Sequence, residues 1–347
     1  MYYDLIFFLI ATTSFGLVAF AFSDYFSQTE RELAFVVQNL LNAFFFLVWG
    51  GYSADAYQYS KAFLGNPSVF EKEQLFYLLG FILDKLVDQP WPLKILSGGS
   101  VLLVGTACFF YFGRQRIATA TLAVTLLHLS PAFFTLTGNA LRQGFAAELL
   151  LLALIFYKER RYWITVGFLF LGYLFHETIL VAMLIIPLLN LSKKWFALLL
   201  VLSPMVSLFL FTIFEGPQIS EFLRKDNTYF TDPEGIYHYE KFLVAYGIAW
   251  TFLIKFVERA QDDYLARAYI LLVTLACTFL MFEIPFDRIL AYSEVLVSLV
   301  AALVLALVWG DLRRTFQVSI ATLVIVLGIV LWTHPSMLRT FGYYPYY

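Results

Sequence analysis

The chain has 347 residues, 61% hydrophobic and 19% aromatic, with only 14% charged and a formal net charge of −2; its mean hydropathy is +0.76. A soluble domain carries about 25% charged residues, so the composition excludes one and describes an integral membrane protein. The charge balance gives no basis for nucleic-acid binding, and Cys108 and Cys277 both sit in apolar runs, which argues against a disulfide framework or a thiol active site.

About 20 apolar residues cross the hydrocarbon core. On that criterion, spans are expected near residues 4–23, 33–51, 92–113, 117–136, 141–157, 195–214, 242–257, 268–284, 289–309 and 316–333. The N-terminal Met1-Tyr2-Tyr3-Asp4 lacks the basic region of a secretory signal, so the run 5–22 reads as the first helix. The stretch 162–190 is too long for one ordinary span and short for two. Its middle is His176-Glu177, and one tilted helix would hold that polar pair at mid-membrane, where it is costly. Two short helices meeting in a hairpin near His176 are therefore expected. The result is an all-α polytopic protein with about twelve membrane helices, read as a single membrane domain over 1–347, and the pattern allows a GT-C-like architecture.

Basic loops set the orientation. Arg114-Gln115-Arg116, Lys158-Glu159-Arg160-Arg161, Lys193-Lys194, the stretch 255–267 and Asp311-Leu312-Arg313-Arg314 all fall on one side if 162–190 crosses twice. The positive-inside rule assigns that side to the cytoplasm and both termini to the outside. Tyr343-Tyr344-Pro345-Tyr346-Tyr347 then reads as an interfacial anchor. Two outer segments are substantial. Within 51–91, Leu75, Leu78, Leu79, Ile82, Leu83 and Leu86 recur at helical spacing among Glu71, Lys72, Glu73, Asp84, Lys85 and Asp88. That pattern predicts an amphipathic helix near 71–88 lying at the interface. The segment 215–241 is polar and aromatic, of a length that suits a substrate loop or lid.

One residue stands out from the apolar background. Arg142 lies at the start of a membrane helix, in Leu141-Arg142-Gln143-Gly144-Phe145-Ala146. A guanidinium does not shed its proton at this depth, and burying it alone costs several kcal/mol. Its fork of donors suits a phosphate or carboxylate. With the orientation above, Asp55 with Tyr57 and Tyr59, Glu71 or Glu73, Arg142-Gln143, His176-Glu177, and Glu283 with Asp287-Arg288 and Tyr292 all reach the outer face. Each also has a structural reading. Arg142 can pair with Glu148, Arg288 with Asp287 or a helix end; His176 can cap the hairpin, Asp55 can cap a helix, and tyrosines populate membrane interfaces without other function. His128 and His334 read as structural, and His238 as an exposed loop residue. No His-Glu-x-x-His or Asp-x-Asp spacing occurs, and a divalent ion at Asp55 with Glu73 has no further support. No nucleotide-binding glycine pattern occurs either, so neither metal nor cofactor is expected.

At these residues the chain resembles the EpsG family of Wzy-like membrane proteins, associated with polymerising bacterial exopolysaccharide or capsule repeats. Tyr52-Ser53-Ala54-Asp55-Ala56-Tyr57-Gln58-Tyr59, followed by Glu73-Gln74-Leu75-Phe76, is similar to the family's aspartate–tyrosine loop. Arg142-Gln143 with Ala146 resembles its Arg-Gln helix start. Phe175-His176-Glu177-Thr178 resembles its His-x-Ser/Thr hairpin, and Phe286-Asp287-Arg288-Ile289-Leu290-Ala291-Tyr292 its later Arg/Tyr segment. The motifs keep their order from about residue 50 to 300, and their combination carries the specificity. Two departures stand out. Trp49-Gly50-Gly51 lacks the family's usual arginine, and Glu177 is more acidic than the pattern, which leaves His176 and Glu177 both open as the proton acceptor.

The resemblance implies oligosaccharide repeats on undecaprenyl pyrophosphate as substrates, at the outer leaflet of a bacterial inner (cytoplasmic) membrane, facing the periplasm or exterior. Polymerisation moves the growing glycan from one lipid pyrophosphate to a sugar hydroxyl of another repeat. The leaving pyrophosphate needs cations, for which Arg142 and Arg288 are expected. The acceptor hydroxyl needs a base, for which His176 is the first choice and Asp55 or Glu177 the reserve. Tyr57, Tyr59, Glu73, Gln143 and Tyr292 complete the expected substrate contacts. A chain-length regulator or other polysaccharide assembly proteins are the expected partners besides the bilayer. Two alternatives need overlapping features: another transferase or ligase on lipid-linked sugars, of the GT-C type, or a non-catalytic transporter or assembly subunit for such lipids. A flippase would want a cationic cavity open to both sides, whereas the expected intramembrane charges gather at one face.

Overall fold

The computed structural model describes residues 2–49, 59, 62–64, 74–130, 133, 136–137, 140–214, 239–256 and 263–309. Among them the regular structure is helical throughout. The helices are α1 (Tyr2–Phe22), α2 (Gln28–Trp49), α3 (Gln74–Leu86), α4 (Trp91–Phe112), α5 (Ile117–His128), α6 (Leu141–Lys158), α7 (Tyr162–Phe175), α8 (Ile179–Ala182), α9 (Ile185–Leu188), α10 (Lys193–Phe214), α11 (Tyr239–Lys255), α12 (Asp263–Cys277) and α13 (Glu283–Trp309). Gln28–Val48, Trp91–Phe112, Lys193–Ile213 and Pro285–Ala306 are long and apolar enough to cross a membrane. The expected span 316–333, most of the loop 215–241 and the C-terminal tyrosines lie outside the described residues. The chain divides into two compact units, one of residues 1–177 and 298–347, the other of 178–297.

In the first unit, the start of α2 is fixed by its own sequence. Glu30 Oε2 accepts from both the backbone N–H and the hydroxyl of Ser27, each at 2.7 Å, and the Glu30 N–H donates to Ser27 Oγ at 3.4 Å, a capping box. Two residues on, Glu32 takes a bidentate pair from Arg114, at 2.7 and 2.9 Å. This ties the α1–α2 turn to the basic turn between α4 and α5. Helices α2 and α4 approach closely through small residues, as membrane helices do. A Cβ on Gly105 would meet Asn39 Oδ1 at 1.9 Å. Polar side chains line this interior: Gln38 donates to Thr125, and Ser100 donates to Glu148.

The sequence leads one to expect a helix through 136, but α5 ends at His128. Pro131 has no N–H for the ladder and biases Ser130 away from helical backbone. Twelve residues rise about 18 Å, short of the roughly 30 Å core. Beyond it, Thr137 O accepts from the Ser97 hydroxyl of α4 at 2.7 Å.

Helix α6 is buried along nearly its whole length. It ends in a Schellman motif: Arg160 sits at φ 61°, its N–H reaches Tyr157 O, and the Arg161 N–H reaches Phe156 O, both at 2.9 Å. The chain then reverses into α7. Phe156 stacks on Phe168 at 5.5 Å, and Phe145 on Phe175 at 4.8 Å, so α6 and α7 form an antiparallel hairpin. Helix α7 stops at the expected place, with His176 extended at φ −157°, ψ 123°. The second arm differs from expectation: it is two separate turns, α8 and α9, rather than one helix. Pro187 explains the interruption, since it cannot donate to the Met183 carbonyl, which instead accepts the Ile186 N–H at 3.0 Å.

In the second unit, α10, α11 and α12 pack on one another, and α9 packs on α12. Pro204 inside α10 deprives the Leu200 carbonyl of its helical donor. The hydroxyls of Ser203 and Tyr246, both at 3.0 Å, replace it. Arg267 caps the end of α9 by donating to the Leu189 and Leu191 carbonyls at 3.3 and 3.1 Å.

Candidate active site at the start of helix α6

The first turn of α6 presents backbone N–H groups and the positive end of an 18-residue helix dipole. No side chain caps it at Ala140. Arg142 stands in that turn, half-buried. Its Nη1 donates to the hydroxyl of Tyr77 at 3.1 Å. Its guanidinium carbon lies 5.5 Å from the Tyr59 ring centroid and 5.7 Å from that of Tyr77, within range of cation–π attraction. Gln143 beside it is buried, at 6% exposure.

Gly144 fits this place because of what lies against it. A Cβ there would come within 2.3 Å of the Leu136 carbonyl oxygen, a backbone atom. The chain after α5 therefore rests directly on the first turn of α6. Glu148, one turn deeper on the same stripe, is bonded to Ser100.

The stacking of Phe145 on Phe175 brings the end of α7 to this first turn. There His176 is buried at 4% exposure, and its backbone N–H donates to Gly172 O at 2.9 Å. Glu177, next in the chain, is more open. The first unit thus gathers Tyr59, Arg142, Gln143 and His176 at one end of the α6–α7 hairpin. Asp55, Tyr57, Glu71 and Glu73 lie outside the described residues.

The second unit holds the other expected residues on α13. Tyr292 is buried at 1% exposure, and its hydroxyl shares a hydrogen bond of 2.9 Å with Thr178. Arg288 stands one turn earlier on the same helix, beside Asp287, both part-exposed. The Thr of the Phe-His-Glu-Thr motif and the Tyr of the later segment are therefore direct partners, a pairing that the sequence alone did not give.

Tyr77 is the contact that sequence reasoning missed. It is one of 22 tyrosines, and interfaces collect tyrosine without function. Its one distinguishing signal is position: it falls on the stripe of the amphipathic helix that continues to Asp84 and Asp88. His128 is buried against Phe133 and Phe46, with ring centroids 5.1 and 6.2 Å away, in keeping with a packing role. Among the described residues, no three His, Cys, Asp or Glu gather as metal ligands would.

Comparison with known proteins gives one match. No curated protein and no solved structure matches the chain significantly. The model of the EpsG family matches residues 40–347, which includes the aspartate–tyrosine loop, the first turn of α6, the break at His176 and the Arg288–Tyr292 turn. The chain belongs to the EpsG family, a family of Wzy-like polysaccharide polymerases.

Proposed function

We propose that this protein polymerises a bacterial surface polysaccharide, moving a glycan from undecaprenyl pyrophosphate to a sugar hydroxyl of another lipid-linked repeat at the outer leaflet. In this reading about twelve crossings place the ends of α6 and α7 that carry Arg142 and His176 on the outer side of the cytoplasmic membrane. The bond between the anomeric carbon and the pyrophosphate oxygen breaks as the acceptor oxygen bonds to that carbon. The acceptor proton passes to His176, with Glu177 or Asp55 in reserve. Negative charge grows on the departing pyrophosphate, and Arg142 meets it with a planar fork of donors at the positive end of α6. Arg288 is the second cation assigned to pyrophosphate in this reading, and Tyr57, Tyr59, Glu73, Gln143, Glu177 and Tyr292 are its substrate contacts. The arginines supply the electrostatic stabilisation, so the reading requires no metal.

The observation that carries the reading is the first turn of α6. It puts an arginine, oriented by tyrosines, beside the break that holds His176, in a chain of this family. The test is made in cells. His176→Ala should abolish polymer while protein abundance and the lipid-linked repeat persist. Loss of the folded protein, or full polymer from the variant, would remove His176 from the chemistry.

A further inference from the structure

We infer that Tyr77 is a positioning residue for Arg142, delivered to the site by the outer helix α3. The inference rests on the polymerase reading above and adds a residue which that reading does not use. Tyr77 contacts Arg142 in two ways: its hydroxyl accepts from Nη1 at 3.1 Å, and its ring lies 5.7 Å from the guanidinium carbon. The Tyr59 ring lies at 5.5 Å. One hydrogen bond at the edge and two rings together restrict both the direction and the plane of the fork, which is what bidentate recognition of a phosphate demands.

Helix α3 is seated so that this contact is reproducible. Phe76, next to Tyr77, is fully buried, 5.1 Å from the Tyr59 ring and 5.5 Å from the Phe63 ring. Gly80, one turn on, leaves room for the buried Phe63 ring, which a Cβ would meet at 2.1 Å. The register of α3 is thereby fixed, and Tyr59 belongs to the same aromatic seat. The amphipathic helix is therefore part of the site and more than a surface anchor. Tyr77 acts through Arg142, so its loss should show in turnover but vanish once the fork itself is gone.

The experiment uses the full chain in lipid nanodiscs, supplied with the native lipid-linked repeat, and compares Tyr77→Phe, Arg142→Lys and the double variant. A hydrogen bond to a charged group contributes enough that Tyr77→Phe should lower kcat about tenfold. In the Arg142→Lys background the same change should alter kcat by less than about twofold, because the two act as one unit. Leu78→Ala, on the exposed side of α3, is the folding control and should keep wild-type turnover and melting temperature. Wild-type turnover in Tyr77→Phe, or an equal loss in both backgrounds, would overturn the inference. If Arg142→Lys itself keeps full turnover, it is the pyrophosphate role of Arg142 that fails.

Discussion

Two arginines of the first unit sit at helix ends and differ in the groups seen to hold them. Arg114 lies in an exposed turn and is matched by the carboxylate of Glu32 through two hydrogen bonds of 2.7 and 2.9 Å. Arg142 is half-buried, and the groups that orient it include a neutral hydroxyl and two aromatic rings. A carboxylate cancels the charge it binds, whereas a tyrosine hydroxyl and ring orient a guanidinium without carrying a charge of their own. The first arrangement joins two turns of the fold. The second seats a guanidinium between two tyrosine rings at the positive end of a buried helix, which in the proposed function turns its fork toward an anionic group.

The sharpest way to break this contrast is to keep both charges and remove both forks. Arg142→Lys should lower polymerisation by about a hundredfold or more, the scale for losing a donor to transition-state charge. Arg114→Lys should leave polymer unchanged, since exposed pairs contribute little. Gel profiles of polymer from cells expressing each variant decide between them, and equal profiles would end the distinction. Next in size is Gly144→Ala. The added Cβ would press on the Leu136 carbonyl, and overpacking of this kind costs about 1–3 kcal/mol. The purified variant should melt at a lower temperature and lose activity at temperatures where it is still folded. An unchanged melting temperature would mean that the chain before α6 does not rest there.

A smaller effect separates Glu148 from the site. Ser100→Ala should destabilise by about 1–3 kcal/mol, because it strips a buried carboxyl of its partner. Joining it with Glu148→Leu should restore much of that stability, since replacing both partners by apolar groups is often nearly neutral. The double variant should also make polymer. If it folds but is inactive, Glu148 has a role in the chemistry that its bond to Ser100 does not suggest.

The parts of this molecule legible in the sequence were those where one physical cost dominates. Apolar runs located the long helices, because a bilayer leaves the backbone no alternative. Arg142 and His176 were legible because a polar group in such a run is expensive, and the helix does break at His176. Pro131 and Pro187 were outweighed by the apolar residues around them, so α5 read too long and the second arm of 162–190 read as one helix. Tyr77 was invisible for a different reason. Its ring suits any membrane interface, and its partner lies 65 residues away. The bond between Thr178 and Tyr292, 114 residues apart, is hidden in the same way, although both residues stand inside recognisable motifs.

The central claim is that the fork of Arg142 stabilises a departing pyrophosphate. A single-turnover assay on purified protein with purified lipid-linked repeat tests it most directly, by following release of undecaprenyl pyrophosphate. Wild-type protein should release it together with glycan extension, while Arg142→Lys should bind the repeat and slow the release by about a hundredfold or more. Release at the wild-type rate from the lysine variant would contradict the account.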